Sequence, residues 1–265
     1  MNDINKLYEQ WLSSATADAD LIPELESVKG DNEAILDRFY KNLEFGTAGL
    51  RGVIGAGTNR MNVYTVNQAT QGLADYLNEA FENPSVAIAY DSRIKSDVLA
   101  KTAAGVLAAN GIKVYIYPEL MPTPMLSFAV RRLHCSSGIV LTASHNPAKY
   151  NGYKAYWNDG GQLVSPHDKN VIGEVEKITN MSLVNFNKNE SLIEYLDENF
   201  DEIYIDKILG LSLSPESIKK QKDLVFVYTP IHGTGGQIIP RLFQKAGFNN
   251  FYTVEEQMVI DGNFP

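Results

Sequence analysis

The 265-residue sequence predicts an α/β protein, a three-layer α/β/α sandwich on a mixed sheet followed by an incomplete second domain of similar type. Three observations carry that prediction. Short apolar runs at 86–90, 114–117 and 137–141 have strand length and are bounded by turn residues. Stretches of helical periodicity at 96–110 and 123–133 lie between them, so strand alternates with helix. The same rhythm restarts at Asp223, after a polar and weakly patterned segment.

In chain order, amphipathic patterns at 3–14 and 31–42 predict two helices forming an N-terminal cap, ahead of a glycine-rich strand that begins near Phe45. A helix is expected at 66–81, a buried strand at 86–90, and a helix at 96–110 that Gly111 stops. A strand at 114–117 and a helix at 123–133 lead into the strand at 137–141. Asn146-Pro147 and Asn151-Gly152 read as turn dipeptides that stop this strand and start its return. His167 follows Pro166 in the first turn of a further helix, residues 180–190 are polar, and residues 191–211 are helix-like. A domain boundary is expected near residue 206, giving units of 1–205 and 206–265. In the second unit a strand at 224–228, a glycine turn at 233–236, a helix at 237–246 and a strand at 251–254 amount to half a domain. About sixty residues is small for a self-sufficient α/β unit, so the chain is expected to be truncated.

Composition limits the function classes. A formal net charge of -9 argues against nucleic acid or an anionic membrane as partner, although a local basic pocket can still hold a phosphate. One cysteine, Cys135, cannot make an internal disulfide, and four scattered histidines offer no zinc ligand set. The start MNDINKLYEQW lacks a signal-peptide pattern, and no apolar run is long enough to cross a bilayer. A cytoplasmic location is expected.

The most informative stretch is 142–154, TASHNPAKYNGYK. It places Ser144 on the loop after a buried strand. Pro147 fixes its own backbone and pushes Asn146 away from helical geometry, so the loop is stiffened where a nucleophile needs to be pre-positioned. Ala143 and His145 flank the serine without the glycines of G-x-S-x-G, which disfavours a serine hydrolase. Neighbouring extended side chains diverge, so His145 is not expected to act on the Ser144 oxygen as a base, yet it can donate to an anion carried there. Lys149 and Lys154 add positive charge. The alternative is a polar turn whose Ser and Asn side chains merely cap backbone groups.

T-A-S-H-N-P followed by N-G-x-K resembles the active-site loop of the α-D-phosphohexomutases, the phosphoglucomutase and phosphomannomutase enzymes. A second segment, Phe45-Gly46-Thr47-Ala48-Gly49-Leu50-Arg51-Gly52, resembles their G-T-x-G-x-R-G motif, and the N-terminal lead-in is most similar to the phosphoglucomutase branch that includes phosphopentomutases. The resemblance implies that Ser144 carries a phosphoryl group and donates it to a hexose phosphate, giving a bisphosphorylated sugar that returns its other phosphoryl group to the serine. It further implies Arg51 as a stabiliser of transferring charge, Lys154 as general acid/base, His145 as a hydrogen-bonding assistant, and Asn151 and Gly152 as shapers of the return strand. Magnesium would reach the site through the phosphoryl group of Ser144, with glucose 1,6-bisphosphate as activator. The family's metal loop, sugar-recognition loop and phosphate-clamping loop belong to later domains and do not occur in this sequence, so the chain is expected to need C-terminal domains of the same polypeptide and to be inactive alone. Glucose phosphate is the favoured substrate; mannose or pentose phosphate, or a non-catalytic sugar-phosphate binding fragment, are the alternatives.

Remaining motifs have plainer readings. Gly46, Gly49 and Gly52 do not make a dinucleotide fingerprint, and no G-K-[ST] ending exists for a P-loop. His232-Gly233-Thr234-Gly235-Gly236 could offer a helix N-terminus to phosphate, although such turns are common at strand–helix junctions. Asp91 is expected to cap the following turn and to pair with Arg93. His134 reads as a core-edge residue.

Overall fold

The computed structural model describes residues 2–46 and 49–265, so Thr47 and Ala48 of the glycine-rich segment lie outside the described residues. Three helices open the chain: α1 (Asn2–Ser14), α2 (Leu21–Ser27) and α3 (Asn32–Phe39). Asp31 starts α3 by accepting a hydrogen bond from the Ala34 amide at 3.0 Å. Trp11 and Tyr8 pack edge-on against Phe39, and the Tyr8 hydroxyl donates to the Leu25 carbonyl, which ties the three helices together. Helix α2 was not legible in the sequence pattern.

Strand β1 (Gly49–Val53) follows, then α4 (Val63–Ala80), β2 (Ser85–Tyr90), α5 (Ser96–Ala109), β3 (Lys113–Ile116), α6 (Thr123–Arg132), β4 (Ser137–Leu141), β5 (Tyr150–Trp157) and α7 (His167–Lys177). Helix α4 starts three residues before its expected position, because Asn62 and Thr65 form a reciprocal capping box. Asn151 and Gly152 lie inside β5 and are not a turn. The buried Asn151 amide donates sideways to the Ile94 carbonyl and Ser96 hydroxyl and accepts from the Gly152 amide, so its turn-forming side chain is spent on tertiary contacts.

Residues 191–211, expected to be helical throughout, instead make a 3₁₀ turn at Glu190–Leu192, strand β6 (Ile193–Tyr195) and helix α8 (Glu198–Leu209). Asp197 accepts from the Phe200 amide at 3.1 Å and so sets the start of α8. The expected boundary at 206 falls within this helix. The remaining elements are α9 (Pro215–Lys220), β7 (Phe226–Tyr228), α10 (Gly235–Ala246), β8 (Phe251–Thr253) and α11 (Glu255–Met258).

The first six strands form one mixed sheet in the order β1-β5-β4-β2-β3-β6, with β1, β5 and β4 antiparallel and the rest parallel. Alternate residues of β2 feed two cores. Val86, Ile88 and Tyr90 join α4, α5 and the N-terminal helices on one face, whereas Ala87 and Ala89 join α6 and Phe200 of α8 on the other. That is the α/β/α sandwich. Strands β7 and β8 pair in parallel as a separate two-stranded sheet. Among the described residues, no helix is long and apolar enough to cross a membrane.

Candidate active site

The site lies where β4 runs out into the loop that returns as β5. Ser144 has a left-handed backbone, φ 57°, and is exposed, while Thr142 and Ala143 just before it are buried. Left-handed geometry is uncommon for serine and is held here by the Thr142 hydroxyl, which accepts from the Ser144 amide at 3.0 Å. This bend corrects one expectation from the sequence. The backbone at Ser144 is not extended, so the neighbouring ring does not diverge, and Nδ1 of His145 stands 3.4 Å from the serine Oγ.

Arg51 reaches the same loop from β1. Its guanidinium donates to the Asn146 side-chain oxygen at 3.4 Å. Register explains how β5 supports it: Arg51 sits opposite Gly152 and Gly49 opposite Lys154, so Arg51, Gly152 and Lys154 share one face of the sheet. Lys154 also pairs with Val140, and the Thr142 amide donates to the Gly152 carbonyl, which brings the root of the serine loop onto that face. Gly49 must be glycine, since its φ is 131° and a Cβ there would lie 1.8 Å from the Tyr153 carbonyl oxygen. The structure thus gathers Ser144, His145 and Arg51 around one loop, with Lys154 on the adjoining strand. Arg51 is exposed and Lys154 half-buried. Among the described residues neither is ion-paired, which leaves their charge available to an anion.

Arg93 is the residue the sequence undersold. Asp91 does accept from the Arg93 amide at 2.9 Å and from the Ser96 hydroxyl at 2.7 Å, as a turn cap should. The Arg93 side chain does far more than pair with Asp91, however, for it donates to the carbonyls of Ser144, Asn146, Pro147 and Tyr150. No local pattern could show this, because the partners lie 51 to 57 positions away.

Two of the other histidines have structural employment. His167 stacks on Trp157 with ring centroids 4.0 Å apart and meets the Tyr76 hydroxyl, and His232 is buried with Nδ1 2.8 Å from the Val259 carbonyl. His134, read from the sequence as a core-edge residue, is instead exposed with φ 54°. Cys135 is buried, and burial pushes its thiol up to about 11. The residues around Ser144 do not by themselves fit magnesium. The nearest acidic partner in the loop network, Asp91, is committed to Arg93 and Ser96, and among the described residues no group of three or more His, Cys, Asp or Glu side chains could hold a metal.

Comparison with known proteins agrees with this geometry. Residues 42–182 match the family model described as phosphoglucomutase/phosphomannomutase, alpha/beta/alpha domain I, and residues 202–265 match its domain II. The phosphoglucomutase of Staphylococcus haemolyticus is 40% identical over 226 residues, covering 85% of this chain and 41% of that protein. A probable phosphoribomutase of Schizosaccharomyces pombe is 36% identical over 243 residues, covering 88% of this chain and 41% of the relative. The solved structure of a phosphoglucomutase/phosphomannomutase family protein from Burkholderia thailandensis superposes with a TM-score of 0.64 at 24% identity, over 83% of this chain and 45% of that one, and so shares its fold. The chain spans about two-fifths of the length of the curated relatives it matches. With both family domains matched in order along it, the chain belongs to the phosphoglucomutase/phosphomannomutase family.

Proposed function

We propose that this chain carries the phosphoryl-bearing serine of a phosphohexomutase that moves phosphate between the 1 and 6 oxygens of a hexose, with glucose phosphate as substrate. The observation that carries the reading is the exposed Ser144 hydroxyl on a strained bend, with His145 and Arg51 at the same loop. Phosphoryl transfer needs in-line placement and neutralisation of charge on the equatorial oxygens more than covalent help, and unpaired cations on a rigid sheet meet that need.

In the forward step the bond between phosphorus and Ser144 Oγ breaks as a bond to the sugar oxygen forms. Lys154, in its neutral amine form, takes the proton of the attacking sugar hydroxyl and becomes the ammonium, Arg51 neutralises the phosphoryl oxygens in flight, and His145 hydrogen-bonds the departing Ser144 oxygen. Reversal with the sugar turned around reloads the serine from the other phosphate. Glucose 1,6-bisphosphate is then both the intermediate and a donor able to charge an empty Ser144. In this reading the boundary between the two domains lies near 206, within α8, the later domains supply sugar recognition, and the lone buried thiol suits a cytoplasmic setting.

A second reading rests on the coverage of the relatives: the 265 residues, taken alone, bind sugar phosphate without turning it over. The test is intact-mass measurement of the full-length protein after incubation with glucose 1,6-bisphosphate. One added phosphoryl group is expected in the native protein and none in Ser144→Ala; an adduct that survives the substitution contradicts the proposal. A coupled assay of the 265-residue chain is expected to show no conversion of glucose 1-phosphate, and vigorous turnover would exclude any need for later domains.

A further inference from the structure

The serine loop is held from behind by a buried arginine. Arg93 is 5% exposed, and its two terminal nitrogens donate to four backbone carbonyls: Ser144 at 2.8 Å, Asn146 at 2.6 Å, Pro147 at 3.1 Å and Tyr150 at 3.0 Å. Its Nε lies 3.4 Å from an Asp91 carboxylate oxygen. A buried guanidinium is tolerated where its donors meet acceptors; the four acceptors of the terminal nitrogens lie between Ser144 and Tyr150, while Nε makes no hydrogen bond and is met by the Asp91 charge. The lysine alternative would not serve, because one ammonium cannot present two planar pairs of donors to four carbonyls.

This arrangement has a consequence on the opposite side of the loop. A trans peptide points its N–H away from its C=O, so carbonyls of Ser144 and Pro147 aimed at Arg93 turn the amides of His145 and Ala148 away from it. Neither amide has a protein acceptor among the described residues. Donors turned outward beside an exposed hydroxyl suit an anion carried by that hydroxyl.

Arg93 is in turn covered from the second domain. The ring of Phe264 lies over the guanidinium, 5.4 Å from its centre, and Gly262 approaches the 92–94 backbone so closely that a Cβ would meet the Ile94 amide nitrogen at 2.6 Å. The segment 261–265 therefore touches the inner support of the loop.

We propose that Arg93 is the positioning residue of the serine loop, setting its carbonyls inward and its His145 and Ala148 amides outward, and that Phe264 seals Arg93 from water so that the second domain helps to fix the loop. The link to phosphate rests on the phosphoserine reading; the loop-holding role does not.

Hydrogen exchange resolved to residues 142–150 tests it without any phosphoryl chemistry. In Arg93→Ala, with the far-ultraviolet spectrum unchanged, exchange of the hydrogen-bonded Ser144, Asn146 and Tyr150 amides is expected to rise roughly 100-fold, as loss of several charge-assisted hydrogen bonds implies. Millimolar guanidinium should restore protection, while methylammonium, which has the charge but not the fork, should not. Unchanged exchange, or equal rescue by both ions, overturns the proposal. If Arg93→Ala does not fold, Arg93→Lys carries the test: it should loosen 144–150 and leave the rest of the sheet as in the native protein, and native-like protection overturns the role. Phe264→Ala should loosen the same segment roughly tenfold, and no change there removes the second domain from the account. Phosphoryl uptake from glucose 1,6-bisphosphate, measured by intact mass on the same variants, should fall and be rescued in parallel. A native protein that takes up no phosphoryl group while exchange behaves as described would sink the phosphoserine reading and leave Arg93 in its role.

Discussion

The six-stranded sheet and the two-stranded sheet of this chain are built from similar strands but are buried in different ways. In the first, β2 and β4 are enclosed on both faces, and Val86 through Ala89 are all fully buried. In the second, one face is an aromatic cluster in which Phe226, Phe251, Phe243 and Phe248 meet with centroids 5.1 to 6.2 Å apart, while Val227 and Tyr252 on the other face are each 66% exposed. A loop that holds a serine in left-handed geometry needs a support that does not relax, and only the doubly covered sheet offers one. The two-stranded unit contributes through its contacts with the first: Arg241 and Lys245 of α10 reach Asp201, Glu202 and Asp206 of α8, and Phe264 reaches Arg93.

The comparison predicts unequal sensitivity to truncation. Ile88→Ala, at the centre of the large sheet, should cost about 2–5 kcal/mol in urea unfolding, because it removes fully buried methyl groups and leaves a cavity. Val227→Ala should cost within ~0.5 kcal/mol, since its side chain faces outward. Equal costs would show that the second sheet is covered in solution and break the distinction.

Catalytic charge should matter next. Arg51→Ala is expected to slow Ser144 phosphorylation by about 10²–10³ while leaving the unfolding midpoint near that of the native protein, as removal of one charge-stabilising donor does elsewhere. A fall in stability matching the fall in rate would mean that Arg51 holds the fold and not the transferring group.

Alkaline pH probes the large sheet from a third side. Burial raises the Cys135 thiol to about 11 and the Tyr90 phenol to about 12. A group whose folded pKa is raised keeps its proton while the unfolded chain loses it, so this stability is complete below the unfolded pKa and is lost as pH climbs towards the folded one. Stability should therefore decline from pH about 9 to about 12. Below that window native Cys135 should resist alkylation by iodoacetamide and react once unfolded; labelling of native protein at pH 8 would show that the buried layer opens.

The smallest effect is expected at the contact between the two regions. Arg241→Ala removes an ion pair to the mostly buried Asp201 and to Glu202, and should cost about 1 kcal/mol, less in high salt. Burial raises the Asp201 carboxyl, although Arg241 draws it back down. No measurable loss would mean that the aromatic cluster alone seats the second unit.

Legibility in the sequence followed the locality of the forces. The strand at Ser137–Leu141 and the serine loop after it are set by an apolar run, a proline and adjacent residues, and they were readable. Arg51 and Lys154 were placed by resemblance, and the sheet register supplies the physical reason for their shared face. What escaped depends on distant partners. Asn151-Gly152 looked like a turn until Ser96 and Ile94 claimed the Asn151 amide, β6 was hidden in a helix-like run because three residues suffice at a sheet edge beside β3, and the grip of Arg93 on the loop spans more than fifty positions. The reach of His145 to the Ser144 oxygen was missed because nothing in the tetrapeptide announces a left-handed serine.

Peptide mapping of the full-length protein after brief exposure to labelled glucose 1,6-bisphosphate addresses the central claim most directly. The account predicts that the label resides on Ser144 and leaves with added glucose 6-phosphate; label on any other side chain, or none in protein that turns over substrate, would contradict it.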